Sequence, residues 1–344
     1  MLFRSESGPL AVRSTGRFNH DLGRYTILRT LGKGGMAEVH LATLKGEAGF
    51  SKNIALKVLL PEHALDPVAI DHFLDEARLA SQLTHPNIVQ ISDLGKAGED
   101  YFIAMEYVEG ADLARIQQGY EAHGVKLPLA ICVAVLRQIC SGLHAAHVAA
   151  DADGQPLGIV HRDVKSANVF VSSSGIVKVG DFGIAKAREG ARVRQTVLGE
   201  VKGTAEYMAP EQRAGEAVDA RADQYGVGAI AYELLAGELI NLDLARLAHL
   251  GRVGWPHLTP LTELRPEIPP ALADCIMKSL SYEPDDRYAS CEQFLDALEL
   301  VGRAHDLLVD QRDVAQWLKE NARYWQAPSA QDVARRTRTR GSPA

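Results

Sequence analysis

The sequence predicts an α+β chain of two lobes, a small β-rich N-terminal lobe with one main helix and a larger, mostly α-helical lobe after it. Three observations carry this. Short apolar runs bounded by glycine-rich or charged turns crowd the first 105 residues. From residue 128 onward apolar residues recur at three-and-four spacing. A length of 344 residues, 46% hydrophobic and 24% charged, suffices for two packed lobes.

Residues 1–22 mix Ser, Gly, Arg and Asn without a period and predict a disordered lead-in. Order is expected from near Tyr25, with strands over 25–28, 38–42 and 53–58. A helix over 67–83 places Phe73, Ala77, Ala80 and Leu83 on one face. After His85-Pro86-Asn87, strands are expected over 88–91 and 101–105, and Gly110 ends the sheet-like region. Helices follow over 128–149, 219–236, 271–280 and 290–300. The expected organisation is a domain over 23–300, with lobes at 23–105 and 106–300, then a helical extension over 301–326. Leu307, Leu308, Val314 and Trp317 are available to dock that extension. Residues 327–344, with Arg335, Arg336, Arg338 and Arg340, predict a flexible basic tail in solvent.

Lys and Arg number 37 against 44 Asp and Glu, a net charge of -7, which speaks against nucleic acid as a partner. Four cysteines in this length form neither a CxxC metal pattern nor a disulfide framework, and Cys132 and Cys140 fit one helix as small apolar fillers. The first residues lack the apolar core of a signal peptide, and no stretch approaches eighteen apolar residues. The expectation is a cytoplasmic chain without a membrane span.

His161-Arg162-Asp163-Val164-Lys165-Ser166-Ala167-Asn168, followed by Asp181-Phe182-Gly183, is the most informative stretch. It sets out a base, a cation and two metal-holding groups, the equipment for moving a phosphoryl group from a nucleotide to a hydroxyl. Asp163 would take the proton of the incoming hydroxyl, and Lys165 would offset charge on the γ-phosphoryl group. Asn168 and Asp181 supply the hard oxygens that Mg2+ favours. A polar loop with capping Asp and Asn is the plainer alternative.

Leu31-Gly32-Lys33-Gly34-Gly35-Met36-Ala37-Glu38-Val39 lies between two strand candidates, where glycines let backbone N–H groups face phosphates; a plain tight turn has the same composition. Lys57 ends the apolar run Ile54-Ala55-Leu56. That is an unfavourable place for an ammonium without an anionic partner, unless it snorkels from a strand edge. Glu76, on the following helix, is the candidate partner and would hold the amine against the α- and β-phosphates.

With the Gly-rich loop, Ala55-Leu56-Lys57, His161-Arg162-Asp163, Asp181-Phe182-Gly183 and Ala209-Pro210-Glu211 in this order, the chain resembles a protein kinase. In particular it is similar to the eukaryotic-type Ser/Thr kinases of bacteria, over roughly residues 25–300. The resemblance implies the bilobal protein kinase fold, ATP held between the lobes with Mg2+, and transfer to Ser/Thr hydroxyls of proteins. Gly32, Lys33 and Gly34 would then cover the phosphates, and the backbone of Glu106 and Val108 would meet the adenine edge. Met105 would stand behind the adenine, Leu31, Val39, Ala55 and Phe170 would sandwich it, and Asp112 would reach the ribose, although an N-cap explains Asp112 equally well. By the same resemblance Asp223 braces the catalytic loop backbone, and Glu211 pairs with Arg287.

Lys165 with Gly203-Thr204 resembles the Ser/Thr branch, where the threonine hydroxyl bridges base and lysine. Thr196 is the activation-segment hydroxyl left for autophosphorylation, and its phosphate would pair with Arg162. The partners implied are proteins with Ser/Thr acceptors and a homodimer for trans-autophosphorylation. The sequence departs from the family pattern at Ala37, where a glycine is usual, in the hairpin-like insert over 151–158, and over 238–255, where a proline-containing stretch is missing. Three alternatives are a nucleotide-binding pseudokinase scaffold, a small-molecule phosphotransferase, and a structural adaptor built from the terminal helices, which has only the helix over 301–326 behind it. Lys57, Glu76, Asp163, Asn168 and Asp181 argue against the first, and Glu211 with Arg287 against the second.

Overall fold

A computed structural model of the chain describes residues 21–182, 205–240 and 258–325. The chain divides into two compact units, Met1–Ser81 with Gln90–Tyr107, and Gln82–Val89 with Val108–Ala344.

The first unit is an antiparallel sheet with one helix. Its elements are β1 (Asp21–Leu22), β2 (Tyr25–Lys33), β3 (Ala37–Lys45), β4 (Ser51–Leu59), α1 (Pro67–Ser81), β5 (Ile91–Ala97) and β6 (Asp100–Glu106), in sheet order β1-β2-β3-β4-β6-β5. The alternation of β4 decides where its side chains go. Ile54, Leu56 and Val58 share one face, in a core with Leu22, Tyr25, Ala42, Phe102 and Ala104. Leu59 lies on the other face, packed with Ala37, Ile103 and the α1 residues Phe73 and Ala77. Lys57, two positions before Leu59, therefore stands on the face that carries the helix.

Two expectations for the strands change. The lead-in expected over 1–22 overlaps β1, where Leu22 is buried and pairs with Tyr25; a strand of two residues has no period to read. The strand expected over 88–91 divides. Ile88 and Val89 belong to the second unit, where the Val89 N–H donates to Val179 O at 2.9 Å, and β5 begins only at Ile91. One apolar run is divided between two units, and periodicity cannot show the division.

The second unit contains β7 (Gly110–Asp112), α2 (Leu113–Ala122), α3 (Leu129–His147), β8 (Val169–Ser172), β9 (Val177–Val179), α4 (Pro210–Ala214), α5 (Ala220–Ala236), α6 (Leu261–Leu264), α7 (Pro270–Ser279), α8 (Cys291–Ala304) and α9 (Gln311–Asn321). The three short strands form one sheet in order β7-β8-β9. They were not expected, being too short to show alternation. All residues of α5 from Ala222 to Leu235 are buried, so α5 is the central post of the unit. Against it lies α3, which also packs on α8. Among the described residues α3 is the one helix long and apolar enough, by length and composition, to cross a membrane, and most of it is buried within the unit. Cys132 and Cys140 lie on α3, and all four cysteines are buried free thiols. Burial pushes the Cys132 thiol up to about 12, which removes its reactivity. The insert over 151–158 is a surface hairpin in which the Asp151 N–H donates to Gln155 O at 2.9 Å.

The boundary expected at residue 300 falls inside α8, which runs to Ala304. Beyond it, α9 buries Val314, Trp317 and Leu318 in the core of the second unit. The Trp317 indole N–H donates to Tyr120 OH at 2.9 Å, and the ring of Trp325 stacks on Tyr120 with 6.2 Å between centroids. This contact depends on Gly119 of α2. A Cβ there would stand 2.4 Å from Tyr324 O.

Gly119→Ala separates helix propensity from docking. Propensity alone predicts a gain of about 0.5–1 kcal/mol for the substitution in a helix interior. The packing predicts a net loss of about 1–3 kcal/mol from the forced backbone shift. Urea unfolding of the variant decides between the two signs.

Candidate active site

In the first unit, strand alternation and the α1 face bring Lys57 and Glu76 together. Lys57 Nζ lies 2.8 Å from Glu76 Oε1, with the side chains only 18% and 15% exposed. On α1, Glu76 adjoins Ala77 and follows Phe73 by three positions, so the turn that packs the helix on the sheet also delivers the carboxylate. Gly32 pairs with Val39, and Lys33 with Glu38, at the tip of the β2–β3 hairpin. The Gly34 N–H donates to Ala37 O at 2.9 Å and closes the tip. Ala37 is buried among Leu59, Phe73 and Ile103, so its methyl group fills a core position where the family pattern has glycine. Leu31 is exposed on β2. Val39 is opposite Lys57 in the β3–β4 register, and Ala55 is opposite Met105 in the β4–β6 register. Glu106 uses its carboxylate to accept from the Gln90 N–H at 2.9 Å.

In the second unit the loop from His161 to Asn168 converges on the Asp163 carboxylate. Asp163 Oδ2 accepts from Lys165 Nζ at 2.9 Å and from Asn168 Nδ2 at 3.1 Å. The same Asn168 amide nitrogen reaches Asp163 O at 2.9 Å. Asn168 thus commits its N–H groups to Asp163 and keeps Oδ1 as the atom able to bind a cation. Asn168 stands immediately before β8, and Asp181 two positions after β9, so one hairpin carries both groups. The Gly180 N–H donates to Asn168 O at 2.9 Å and closes the base of that hairpin. Asp181 sits at φ 54, a left-handed conformation that Asp tolerates better than most residues.

The tautomer of His161 follows from its partners. Its Nδ1 accepts from the Asp163 N–H at 3.2 Å, while Nε2 faces Gly180 O at 3.0 Å and must donate. Its ring rests on that of Phe182, 4.5 Å between centroids. Arg162 adopts φ 65, and Asp223, 1% exposed, holds the turn from below. Asp223 Oδ1 accepts from the Arg162 N–H and Oδ2 from the His161 N–H, each at 2.7 Å, and His147 Nε2 donates to Oδ2 at 2.7 Å. Burial alone would raise this carboxyl. The hydrogen bond and charge of His147, with His161 and the Arg162 N–H, outweigh burial and hold it below the ordinary value.

Glu211 and Arg287 form a buried bidentate pair with both N–O distances 2.8 Å. Arg287 also donates to the carbonyls of Ser281, Tyr282 and Arg221, so every guanidinium nitrogen is engaged. Three residues of this region carry no motif and were not read from the sequence, Gln212, Glu233 and His147, and Ser166, although inside the loop, was given no role there. Gln212 donates to Arg162 O at 3.0 Å and accepts from the Ala209 N–H at 3.1 Å. Glu233, on α5, accepts from the hydroxyls of Ser166 and, at 2.6 Å, Tyr207. Glu233 lies ten residues after Asp223 on the same buried helix, a spacing that turns it about 80° from Asp223 and gives no same-face signal in the sequence.

Of the remaining candidates, Val108 and Phe170 are partly buried in the second unit, and Asp112 pairs with Phe170 between β7 and β8. Asp112 caps α2 by accepting from the Arg115 N–H at 2.8 Å, the alternative its position allowed. Thr196 and Thr204 lie outside the described residues, as does most of 238–255.

The combination of a lysine–glutamate pair on a β-rich unit with an Asp–Lys–Asn loop on a helical one matches known proteins. The protein kinase domain family model matches residues 25–297, and the chain belongs to that family. It is 43% identical over 285 residues to the tyrosine-protein kinase MasK of Myxococcus xanthus, covering 82% of this chain and 44% of MasK. It is 37% identical to the serine/threonine-protein kinase Pkn1 of Myxococcus xanthus, covering 82% of this chain and 39% of Pkn1. The chain therefore spans less than half the length of these relatives. Among solved structures, the kinase domain of PknI of Mycobacterium tuberculosis superposes with a TM-score of 0.60 at 30% identity, covering 81% of this chain and 97% of that domain.

Arg287→Ala leaves Glu211 buried and unpaired, and a loss of about 3–5 kcal/mol is expected in urea unfolding. Glu233 carries the pH signature of the region. Burial raises its carboxyl above 4.5, although Ser166 and Tyr207 oppose the shift by donating to it. From about 4.5 up to the raised folded value, the folded state holds more proton than the unfolded state. Stability from this group is complete below 4.5 and is lost as pH rises through the folded value. Glu233→Gln keeps an acceptor for both hydroxyls and removes this decline, so the difference in unfolding midpoint between variant and parent should grow in the variant's favour as pH rises through the window. Parallel profiles would contradict the assignment.

Proposed function

We propose that this chain is an active protein serine/threonine kinase that uses Mg-ATP. The observation that carries the reading is the Asp163 carboxylate held at 2.9 Å by Lys165 Nζ and at 3.1 Å by Asn168, with Asp181 on the same hairpin. The donor set suits the group: Asn168 Oδ1 and the Asp181 carboxylate are hard oxygens of the kind Mg2+ takes, and the Lys57 ammonium, oriented by Glu76, suits phosphate. Bound Mg-ATP would supply a γ-phosphoryl group whose charge is partly neutralised.

Asp163 would accept the proton of the protein hydroxyl, and Lys165 would offset charge near it. Gly32, Lys33 and Gly34 would cover phosphates. Leu31, Val39, Ala55, Met105, Glu106, Val108 and Phe170 would line the adenine, and Asp112 is the candidate for the ribose. Thr204 would bridge Asp163 and Lys165. Phosphate on Thr196, added in trans within a homodimer, would pair with Arg162. The reading places the reaction in the cytoplasm, where ATP is held. A second acceptor is favoured by one comparison, since the relative at 43% identity is named a tyrosine-protein kinase.

Transfer from γ-labelled ATP to the chain itself and to a generic protein substrate tests the proposal. Lys57→Met and Asp163→Asn should each lower transfer by on the order of a hundredfold or more, with label on serine and threonine after acid hydrolysis. Undiminished transfer in Asp163→Asn would overturn the base assignment. Label confined to tyrosine would replace the acceptor assignment.

A further inference from the structure

The residues after 297 lie beyond the span of the family model, yet they are built into the unit that carries the catalytic loop. At its start, α9 meets the turn between β8 and β9. Gln311 Nε2 donates to Ser174 O at 2.9 Å. Gly175, at φ 83, lies so close that a Cβ there would stand 1.9 Å from Gln311 O and 2.8 Å from Ala315 N. From the α3 side Gln138 holds the same turn, accepting from the Val177 N–H at 2.9 Å and donating to Gly175 O at 3.3 Å. The β8–β9 turn is therefore gripped on two sides by amide side chains.

At its other end the segment grips α2. Tyr324 lies on Gly119, Trp317 and Trp325 lie on Tyr120, and Arg115 Nε donates to Trp325 O at 2.8 Å. Arg115 also gives its backbone N–H to Asp112, which pairs with Phe170 of β8. Both ends of the segment thus lead to the three-stranded sheet, and its β8–β9 hairpin has Asn168 at one end and Asp181 near the other.

We propose that residues 306–325 act as a strap that positions this hairpin, fixing the separation of the Asn168 and Asp181 oxygens and so the strength with which Mg-nucleotide is held. The strap acts through the turn and through α2. This rests on the reading above that Asn168 and Asp181 hold Mg2+. Outer partners of metal-holding groups influence affinity by setting ligand geometry, with effects of about tenfold or more. Gln311 is exposed and serves only the turn, whereas Trp317 is buried and serves the docking on α2.

The test uses the full chain as Gln311→Ala, Trp317→Ala and Trp317→Phe. Binding of a non-hydrolysable ATP analogue is measured by calorimetry across a Mg2+ titration, beside amide exchange over residues 169–179 without metal and kcat at saturating Mg2+. Gln311→Ala and Trp317→Ala should raise the half-saturating Mg2+ concentration by about tenfold and speed exchange in the hairpin. Their kcat at saturation should stay within about twofold of the parent, and Trp317→Phe should restore parental binding. Unchanged Mg2+ dependence in Gln311→Ala, with parental exchange, overturns the strap even if Trp317→Ala fails to fold. A parent chain that binds the analogue equally with and without Mg2+ overturns the metal reading itself, and the strap's role with it.

Discussion

A buried carboxylate holding two consecutive backbone N–H groups is the contact on which the geometry of the loop from His161 to Asn168 depends. Arg162 at φ 65 is a left-handed non-glycine residue, a conformation that costs about 1–3 kcal/mol. Hydrogen bonds to a charged acceptor contribute about 1.5–3 kcal/mol each, and Asp223 makes one with Arg162 N–H and another with His161 N–H. The two contributions are large enough to hold the turn. Because Arg162 turns there, Asp163 points to Lys165 and Asn168, and His161 reaches Gly180 at the base of the hairpin that carries Asp181.

The rest of the unit keeps that carboxylate in place. It sits on α5, and α5 is buried along nearly its whole length by α3, α7 and α8. Gln212 ties the Arg162 carbonyl to the start of α4, and the Glu211–Arg287 pair fixes α4 against the segment before α8. Glu233, further along α5, accepts from Ser166 of the loop and from Tyr207. One helix therefore contacts the loop through carboxylates at two points ten residues apart, so a shift of α5 would move the whole loop. Such a design places the groups proposed to react on rigid elements with their supports locked by hydrogen bonds.

How much of this could be read from the sequence depends on the range of the signal. Lys57 and Glu76 were legible because a lysine in an apolar run needs a counter-charge and the next helix offered one at the right spacing. The loop from His161 to Asn168 was legible because its polar identities are close together. Gln212, His147 and Glu233 were not, since each acts across a tertiary contact and looks like an ordinary polar residue on a helix. The strands β7 to β9 have three or four residues each, too few for alternation to emerge. Ile88 and Val89 show the same limit from the other side: their apolar pattern is clear, but which unit they join follows from their pairing with Val179, about ninety residues later.

The most direct measurement is the rate of γ-phosphoryl transfer by Asp223→Asn, taken beside amide exchange at His161 and Arg162. The substitution keeps the shape but sets an amide NH2 group against a backbone N–H that now meets a carboxylate oxygen. Faster exchange at both amides and a fall in rate of about a hundredfold are expected, the scale on which small misplacements of reacting groups act. Parental protection together with a parental rate would show that the loop does not depend on this carboxylate.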